Sequence, residues 1–525
     1  MKILVLNSGS SSLKSSLYDF SAANAPPAQS LPAAGPPDPA WQGEIEWSGA
    51  DAQIKLSTAS GAQSKQQVKV ASREEATQQL LATLWTGSTR VISSAKEINV
   101  VGHRVVNGGP EHREPALLDA TVIAAIQHAS AFAPLHNQAE LDGIAIAQEL
   151  IPAAPQVAVF DTGFHRTLAP AAYVYPGPYD WLAKGIRRYG FHGINHAYIA
   201  ERAPQILQRD IRDTPEESDK IDALIASLVL NDDYTLDQER HSATLTERGV
   251  SKCEKLLGAD NLYDHAHHSI LDRICRVLSA KTRSSRIVSC HLGNGCSLAA
   301  IRDGRSVDTT MGFTPLEGLM MGTRSGSIDP GILTYLATQE KQTGEQLDNL
   351  LNKKSGLLGI AGFSGDMREI IEEMNAGASA PPDAKSAGAK SPNSASTLSA
   401  CALPIDAGDK SARAQLAFDM FIHRLRREIG SMIAVLGGLD SLVFTAGIGE
   451  NSADVRAAAC DALAFAGVHL DAAKNTQLSA KGAEHGSGPA DADIATAPSP
   501  ARVLVIKAQE DWAIARACFR LAPSS

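Results

Sequence analysis

Apolar residues along this chain gather into short runs that stop at Gly, Ser, Asn or Asp, and the runs read as strands. They occupy residues 3–6, 98–101, 157–160, 287–292, 442–446 and 503–506. Between several of them the apolar positions recur at helical spacing, as over 416–436 and 453–466. Strands that alternate with helices predict α/β architecture. Two of the runs turn back on themselves. Leu6-Asn7-Ser8-Gly9-Ser10-Ser11-Ser12-Leu13 leads into alternation over 15–18, and Leu292-Gly293-Asn294-Gly295-Cys296-Ser297-Leu298 leads into 298–301. Each predicts a hairpin.

Other stretches lack this patterning. Residues 21–40, 376–412 and 479–501 are rich in Ala, Gly, Pro and Ser, with too few large apolar side chains to offset the entropy of ordering. Residues 209–264 are charged and irregular, with one short helix expected over 220–230. Insertions are therefore expected at about 21–60, 209–264, 376–412 and 479–501. The apolar stretch 429–449 is interrupted by Asp440 and the pair Gly437-Gly438, which predicts a buried helix, a turn and a strand rather than a membrane span.

Composition narrows the partners. A chain of 525 residues has room for two or three cores. The net charge of -10, without a long basic run, argues against nucleic acid. Seven scattered cysteines without C-x-x-C spacing predict neither a disulfide framework nor a zinc site, and reduced thiols in the cytoplasm are expected. The first apolar run ends at Asn7, far short of a signal-peptide core, so neither export nor a membrane is expected.

The turns carry the candidate chemistry. Gly, Ser and Asn point backbone N–H groups and short polar side chains into one concavity, and both hairpin turns fit a phosphate chain in this way. Neither matches the P-loop or the dinucleotide fingerprint. A third turn, Gly447-Ile448-Gly449-Glu450-Asn451, follows a strand and precedes a helix that Asn451 or Ser452 could cap. Arg104, in Gly102-His103-Arg104-Val105-Val106-Asn107-Gly108-Gly109, and Arg324, in Gly322-Thr323-Arg324-Ser325-Gly326, sit among glycines with almost no acids near them in sequence. Singly, such arginines are more often surface cations or structural clamps; two of them beside two phosphate nests read as a clamp on a transferring phosphoryl group. His136, His165 and His192 recur near these motifs, although a lone His after an aromatic is more often a satisfied core residue than a catalyst. The group Asp264, His265, His267 and His268 has metal-ligand composition but falls in an expected insertion.

In this order, and over nearly the whole length, the motifs resemble the acetate kinases, members of the superfamily that also holds actin, sugar kinases and heat-shock chaperone ATPases. The resemblance implies two related actin-like, ribonuclease H-like domains with a nucleotide cleft between them, over about 1–162 and 163–508, with residues 509–525 forming a helix that returns to the first. It implies that Asn7 and Glu510 hold Mg2+ or Mn2+, that Ser10, Ser12 and Lys14 fill the first nest, and that His291, Asn294 and Gly295 belong to the second. Arg104 and Arg324 would bind substrate carboxylate and phosphoryl charge beside His192, with Asp161 orienting the metal's water or the substrate. Val106, Leu135, Phe191 and Pro315 would wall a small apolar pocket. Asp366, Met367, Arg368, Gly447, Ile448 and Asn451 would surround adenine and ribose. A homodimer is implied as well.

The chain departs from the family pattern at Asn107 (usually His), Ile194-Asn195 (usually Thr-Ser), Ser327 (usually Asp) and Lys507-Ala508-Gln509-Glu510-Asp511 (usually Pro-Thr-Asn-Glu-Glu). The expected reaction is reversible in-line transfer of the ATP γ-phosphate to acetate. A carboxylate with a pKa near about 4 needs no general base, so two arginines, a histidine and the metal need only offset charge. The alternatives are a propionate or butyrate kinase and a nucleotide-binding regulatory protein without turnover.

Overall fold

A computed structural model describes residues 1–8, 12–20, 35–48, 51–130, 134–208, 227–228, 232–237, 242–257, 285–379, 409–485 and 491–522. The first apolar run forms β1 (Lys2–Ser8), which turns back into β2 (Ser12–Asp19) and then β3 (Trp41–Ser48), β4 (Asp51–Thr58) and β5 (Gln63–Lys69), all antiparallel. On the other side of β1 lie β6 (Val100–Val105) and β8 (Gln156–Phe160), both parallel to it, and the short edge strand β7 (Ala116–Leu117). Ile3 to Leu6 and the whole of β8 are buried because parallel strands are covered on both faces, so they read as unbroken apolar runs instead of alternating ones.

A small hairpin, β9 (Tyr234–Asp237) and β10 (Ser242–Leu245), stands apart from a second large sheet. That sheet comprises β11 (Arg286–Leu292), β12 (Cys296–Arg302), β13 (Arg305–Thr309), β14 (Ser441–Thr445), β15 (Ala492–Asp493) and β16 (Arg502–Val505). Its order β13-β12-β11-β14-β16 repeats the order β3-β2-β1-β6-β8 of the first sheet, with the same antiparallel and parallel senses. Two copies of one topology are the expected actin-like arrangement.

Two helices lie between the sheets. Gly193–Gln208 contributes Ile194, Tyr198, Ile199 and Ala203, and Glu510–Leu521 contributes Trp512, Ile514, Ala515 and Cys518, to one core shared with Ile3, Val5 and Val157 of the first sheet and Ile287, Ile301 and Leu504 of the second. Each such large side chain is worth roughly 1.5–3 kcal/mol when fully buried. Arg516 ties the two helices by donating from both Nη atoms to Glu201 at 2.9 Å. The outer face of the first sheet is covered by the Pro134–Leu150 helix through Ala147, and that of the second by the Lys410–Leu436 helix through Phe421, Leu425 and Ile429.

The stretch 429–449 resolves as expected into the end of that helix, a turn and β14. Gly437 closes the helix in the left-handed region at φ +69°, which a side chain would resist. No described helix is long and apolar enough to cross a membrane.

Two expected insertions need correction. Residues 41–58 are not an excursion but β3 and β4, because Trp41, Ile45, Ile54 and Leu56 alternate inward. Within 479–501 the Ala472–His485 helix ends, β15 pairs with β16, and Ile494 and Ala495 are buried. Within 209–264 the described residues form β9, β10 and the Glu247–Leu257 helix. The helix expected over 220–230 and the Asp264–His268 group lie outside the described residues, apart from residues 227 and 228.

Candidate active site

In an open sheet with parallel strands, the carboxyl ends of those strands present side chains to a ligand. Asn7 near the end of β1, Arg104 in β6 and Asp161 just beyond β8 meet there. Arg104 donates from Nη2 to Asp161 Oδ2 at 2.5 Å and from Nη1 to Asn7 Oδ1 at 3.4 Å. Burial works against the Arg104 charge, but Asp161, Glu510 and Glu140 outweigh it and raise its pKa. Asp161 is itself pushed up by burial, opposed by Arg104 and reinforced by the charge of Glu510. Glu510 and Asp511 open the Glu510–Leu521 helix, and Asp511 Oδ2 accepts from Ser16 Oγ at 2.6 Å. Burial raises Asp511, while Ser16, Lys14 and a hydrogen bond with Asn7 lower it. One cluster therefore holds an amide, a guanidinium and three carboxyls.

The second sheet supplies the opposite side. In the turn between β11 and β12, Gly293 N donates to Gly295 O at 3.1 Å. The ring of His291 stacks on that of His192 with centroids 4.0 Å apart. His192 adopts φ +56°, a left-handed conformation costing a non-glycine residue about 1–3 kcal/mol, just before the Gly193–Gln208 helix. Gly193 N donates to Asp161 O at 2.8 Å, and a side chain at 193 would collide with that carbonyl, so only glycine lets this helix start so close to Asp161.

His192 Nδ1 shares a hydrogen bond with Ser297 Oγ at 2.9 Å, and Ser297 Oγ shares another with His196 Nε2, also at 2.9 Å. Asn195 Nδ2 lies 2.9 Å from His291 Nδ1. Burial lowers His291 to about 4 and holds His192 and His196 well below 6.5. Burial therefore works against a positive charge on His192, which the structure presents as a hydrogen-bonding group.

Arg324 donates from Nη1 to Pro315 O at 3.1 Å. A Cβ placed on Gly295 would lie 3.4 Å from both Arg324 Nη1 and His192 Nε2, so the glycine turn, the second arginine and the histidine converge. Gly322 N donates to Asn294 O at 3.2 Å, bringing the Arg324 loop against the turn. Burial lowers the Arg324 pKa, Cys296 raises it, and Arg104 lowers it again. The two arginines, Arg104 from β6 and Arg324 from the loop after β13, thus stand near enough to feel each other's charge.

The loop bearing Pro315 and Arg324 is pinned from several directions. Arg188 donates to the carbonyls of Thr309, Thr310 and Met311 and, at 2.7 Å, to Glu317, which also accepts from the Tyr175 hydroxyl. Ser327 Oγ accepts from Gly318 N at 3.0 Å, so the hydroxyl at this departure from the family pattern fastens the loop. Asn107 Oδ1 accepts from Gly109 N, and Ile194 is a core residue.

Val106 and Phe191 share one buried apolar cluster with Leu319 and Met321, and Pro315 stands half-buried. Leu135 belongs to the Pro134–Leu150 helix, but its side chain lies outside the described residues, as does Ser10. Ser12 opens β2. Lys14 points outward, exposed, and pairs with Glu44 at 3.5 Å; among the described residues it reaches the cluster through its charge on Asp511.

Farther along the second sheet, Asp366 pairs with Arg368 at 2.6 Å while Met367 is buried. Asn451 Nδ2 donates to Gly447 O at 2.9 Å beside half-buried Ile448, and it is Ser452 that caps the following helix, Ala453–Asp461. Glu450 Oε1 accepts from Ala446 N at 2.7 Å and from Ala508 N at 2.8 Å, tying this turn to the segment that delivers Glu510.

Sequence reasoning passed over Asp511, Glu140, Glu317 and Glu450. Only Glu140 left a signal: it stands on the apolar stripe of its helix, with buried Ile144 four residues and Ala147 seven residues later.

The acetokinase family model matches residues 2–216, 262–388 and 396–516. A model of the SecA preprotein cross-linking domain matches residues 213–288, most of which lie outside the described residues. The chain is 44% identical over 523 residues to the acetate kinase of Gloeobacter violaceus, covering 99% of each. It is 42% identical over 523 residues to that of a Cyanothece species, covering 99% of this chain and 98% of that one. Among solved structures, the acetate kinase of Porphyromonas gingivalis superposes with a TM-score of 0.68 at 30% identity, covering 99% of this chain and 100% of that one. A propionate kinase from Francisella tularensis superposes with a TM-score of 0.67 at 28% identity, covering 98% of both.

Proposed function

We propose, from the premise that this chain belongs to the acetokinase family, that it transfers the γ-phosphate of ATP reversibly to the carboxylate of acetate, giving acetyl phosphate and ADP. That it is an ATP-dependent kinase follows from the family; the carboxyl acceptor is the proposal. The observation that carries it is the approach of Arg104, on a strand of the first sheet, and Arg324, on the loop that follows β13 of the second, beside His192. Acetate is ionised at pH 7, so what opposes reaction is repulsion between two anions, and guanidinium groups fixed beforehand offset it.

Arg104, held by Asp161 and Asn7, keeps its charge and fixed direction to receive the acceptor carboxylate. Arg324, held by Pro315 O, serves the phosphoryl group. The His192 ring, anchored by Ser297, lends a hydrogen bond. Val106, Phe191 and Pro315 exclude water and receive the methyl group.

The oxygen donors present fit a hard divalent cation such as Mg2+. They are the Asn7 amide oxygen, the Glu510 carboxylate and Asp161, whose buried Oδ1 lacks a partner among the described residues. Such a cation would neutralise charge on the nucleotide phosphates. Asn7 and Glu510 would hold it, and Asp161 would orient its water shell.

A second copy of the chain is proposed as partner. The neighbouring Pro330–Gln339 and Gly344–Lys353 helices bury none of their residues, and Ile332 and Tyr335 are 46% and 58% exposed. A cytoplasmic location suits the free, buried thiols of Cys290, Cys296, Cys460 and Cys518.

The deciding experiment is ADP release with ATP and acetate, propionate or butyrate, run also in reverse from the acyl phosphate and ADP. Acetate should give the highest kcat/KM. Preference for a longer acid would make the chain a propionate or butyrate kinase, and ATP binding without acyl phosphate from any acid would make it a regulatory nucleotide-binding protein.

A further inference from the structure

Behind the apolar pocket lies a group that the reaction as described does not use. Glu140, on the Pro134–Leu150 helix, is 2% exposed, and its Oε2 accepts from Val106 N at 3.0 Å. One turn earlier on the same face, Asn137 Nδ2 donates to Asn107 O at 3.0 Å and to Ile126 O at 3.1 Å. A single helix thus grips both sides of the Val106–Asn107 link: an acceptor takes the amide before it and a donor takes the carbonyl after it. The gripped backbone continues directly from β6, which carries Arg104, and the Val106 side chain reaches across into the apolar cluster around Phe191. The same helix carries Leu135.

Charged groups face Glu140 from two neighbouring elements: Arg104 in β6 and Asp161 beyond β8. Burial pushes the Glu140 carboxyl up to about 8, with Arg104 and the Val106 amide pulling it down and Asp161 pushing it further up. Its other oxygen, Oε1, is buried without a partner among the described residues. A core needing only volume at this place would be served by leucine or methionine; a carboxyl latched to one backbone amide fixes a position.

We propose that Glu140 is a positioning residue that sets acid-length selectivity, holding Val106 through its amide at a fixed depth in the acyl pocket. The inference rests on the carboxyl-phosphorylating function proposed above. It assigns Glu140 no contact with substrate: it acts through Val106, and through the strand end that also bears Arg104. Without the latch the Val106 amide loses its partner, the strand end relaxes, and the pocket deepens. An acetate then binds loosely, whereas a longer acid fills the added space.

The test compares wild type with Glu140→Ala, Glu140→Gln and Glu140→Asp on acetate, propionate and butyrate at saturating MgATP, with the KM for MgATP measured alongside. For Glu140→Ala the acetate KM should rise about tenfold, and the propionate-to-acetate ratio of kcat/KM about fivefold, while the MgATP KM stays within about twofold. A carboxamide oxygen can still accept from Val106 N, so Glu140→Gln should return the acetate KM to within about threefold of wild type. Should the alanine variant fail to fold, Glu140→Asp decides, since the shorter carboxyl cannot span the 3.0 Å contact without moving Val106. It should shift the acid ratio the same way. Equal losses on all three acids, a parallel rise in MgATP KM, or a glutamine variant as impaired as alanine would each overturn the inference while leaving the kinase reading intact. A wild type that phosphorylates none of the acids removes that reading, and this inference with it.

Discussion

Arg324 enters the site from a loop, partly buried, and among the described residues it donates to a carbonyl and a methionine sulfur, not to a carboxylate. A guanidinium held this way keeps its charge available for a ligand instead of spending it on an internal ion pair. Arg324→Ala should therefore lower kcat by about 10³-fold or more, as for other arginines that act on a transferring phosphoryl group, while ATP affinity measured by titration calorimetry changes little. Near-normal turnover would reject its role.

Glu140 gives a prediction on stability with a definite sign. Its folded pKa of about 8 exceeds its ordinary 4.5, so between those values the folded chain binds more protons than the unfolded one. The stability linked to this carboxyl is complete below 4.5 and is lost as pH rises through 8. Between pH 5 and pH 8 the urea midpoint of Glu140→Gln should accordingly fall less than that of wild type; parallel slopes would mean that Glu140 is ionised throughout.

Among the elements, the loop over 309–327 shows how far position depends on fastening. It has no regular structure beyond its first residue, yet it carries Pro315 and Arg324, and its rigidity comes from Arg188, Glu317, Tyr175 and Ser327. Glu317→Ala removes the shared anchor of Arg188 and Tyr175. The kcat/KM for the acid should fall about 10- to 100-fold, a loss in line with displacement of a reacting group by about 1 Å; stopped-flow ATP binding should be unaffected, and unchanged acid kinetics would show the loop to be held without it.

Such ties could not be read from the chain, because Glu317 meets Tyr175 across 142 residues and only folding brings them together. Strands were legible where burial on both faces leaves an apolar run, unbroken over 3–6 of β1 and 157–160 of β8 and interrupted only by Ser289 and His291 in β11. They were missed in β3 and β4, where Trp41, Ile45, Ile54 and Leu56 alternate with polar residues beside a Pro- and Ala-rich segment. The arginines and glycine turns were visible because glycine where a backbone is approached closely leaves a local pattern. The acids that hold them were not, since an acid inside or at the start of a helix looks like any solvated residue.

At the scale of the whole molecule, two sheets of one topology face each other across two helices, with Arg104 on a strand of the first and Arg324 on a loop that leaves the second. The proposed dimer belongs to this scale. With Ile332 and Tyr335 on a helix that buries none of its residues, the double substitution Ile332→Glu, Tyr335→Glu should halve the mass seen by sedimentation equilibrium. A wild type that already sediments as a monomer would refute a second copy at this face.

The helix that supplies Glu510 and Asp511 also carries Trp512, 1% exposed, with its ring stacked on Phe20 at 5.4 Å between centroids. The indole cannot leave that slot without dragging the neighbouring acids from Arg104 and Ser16. With Trp41, Trp47, Trp85 and Trp181 replaced by Phe, its emission is consequently a built-in optical gauge: a red-shift on dilution into denaturant, or its recovery on refolding, marks the moment at which the two sheets lose or regain the carboxyls they share.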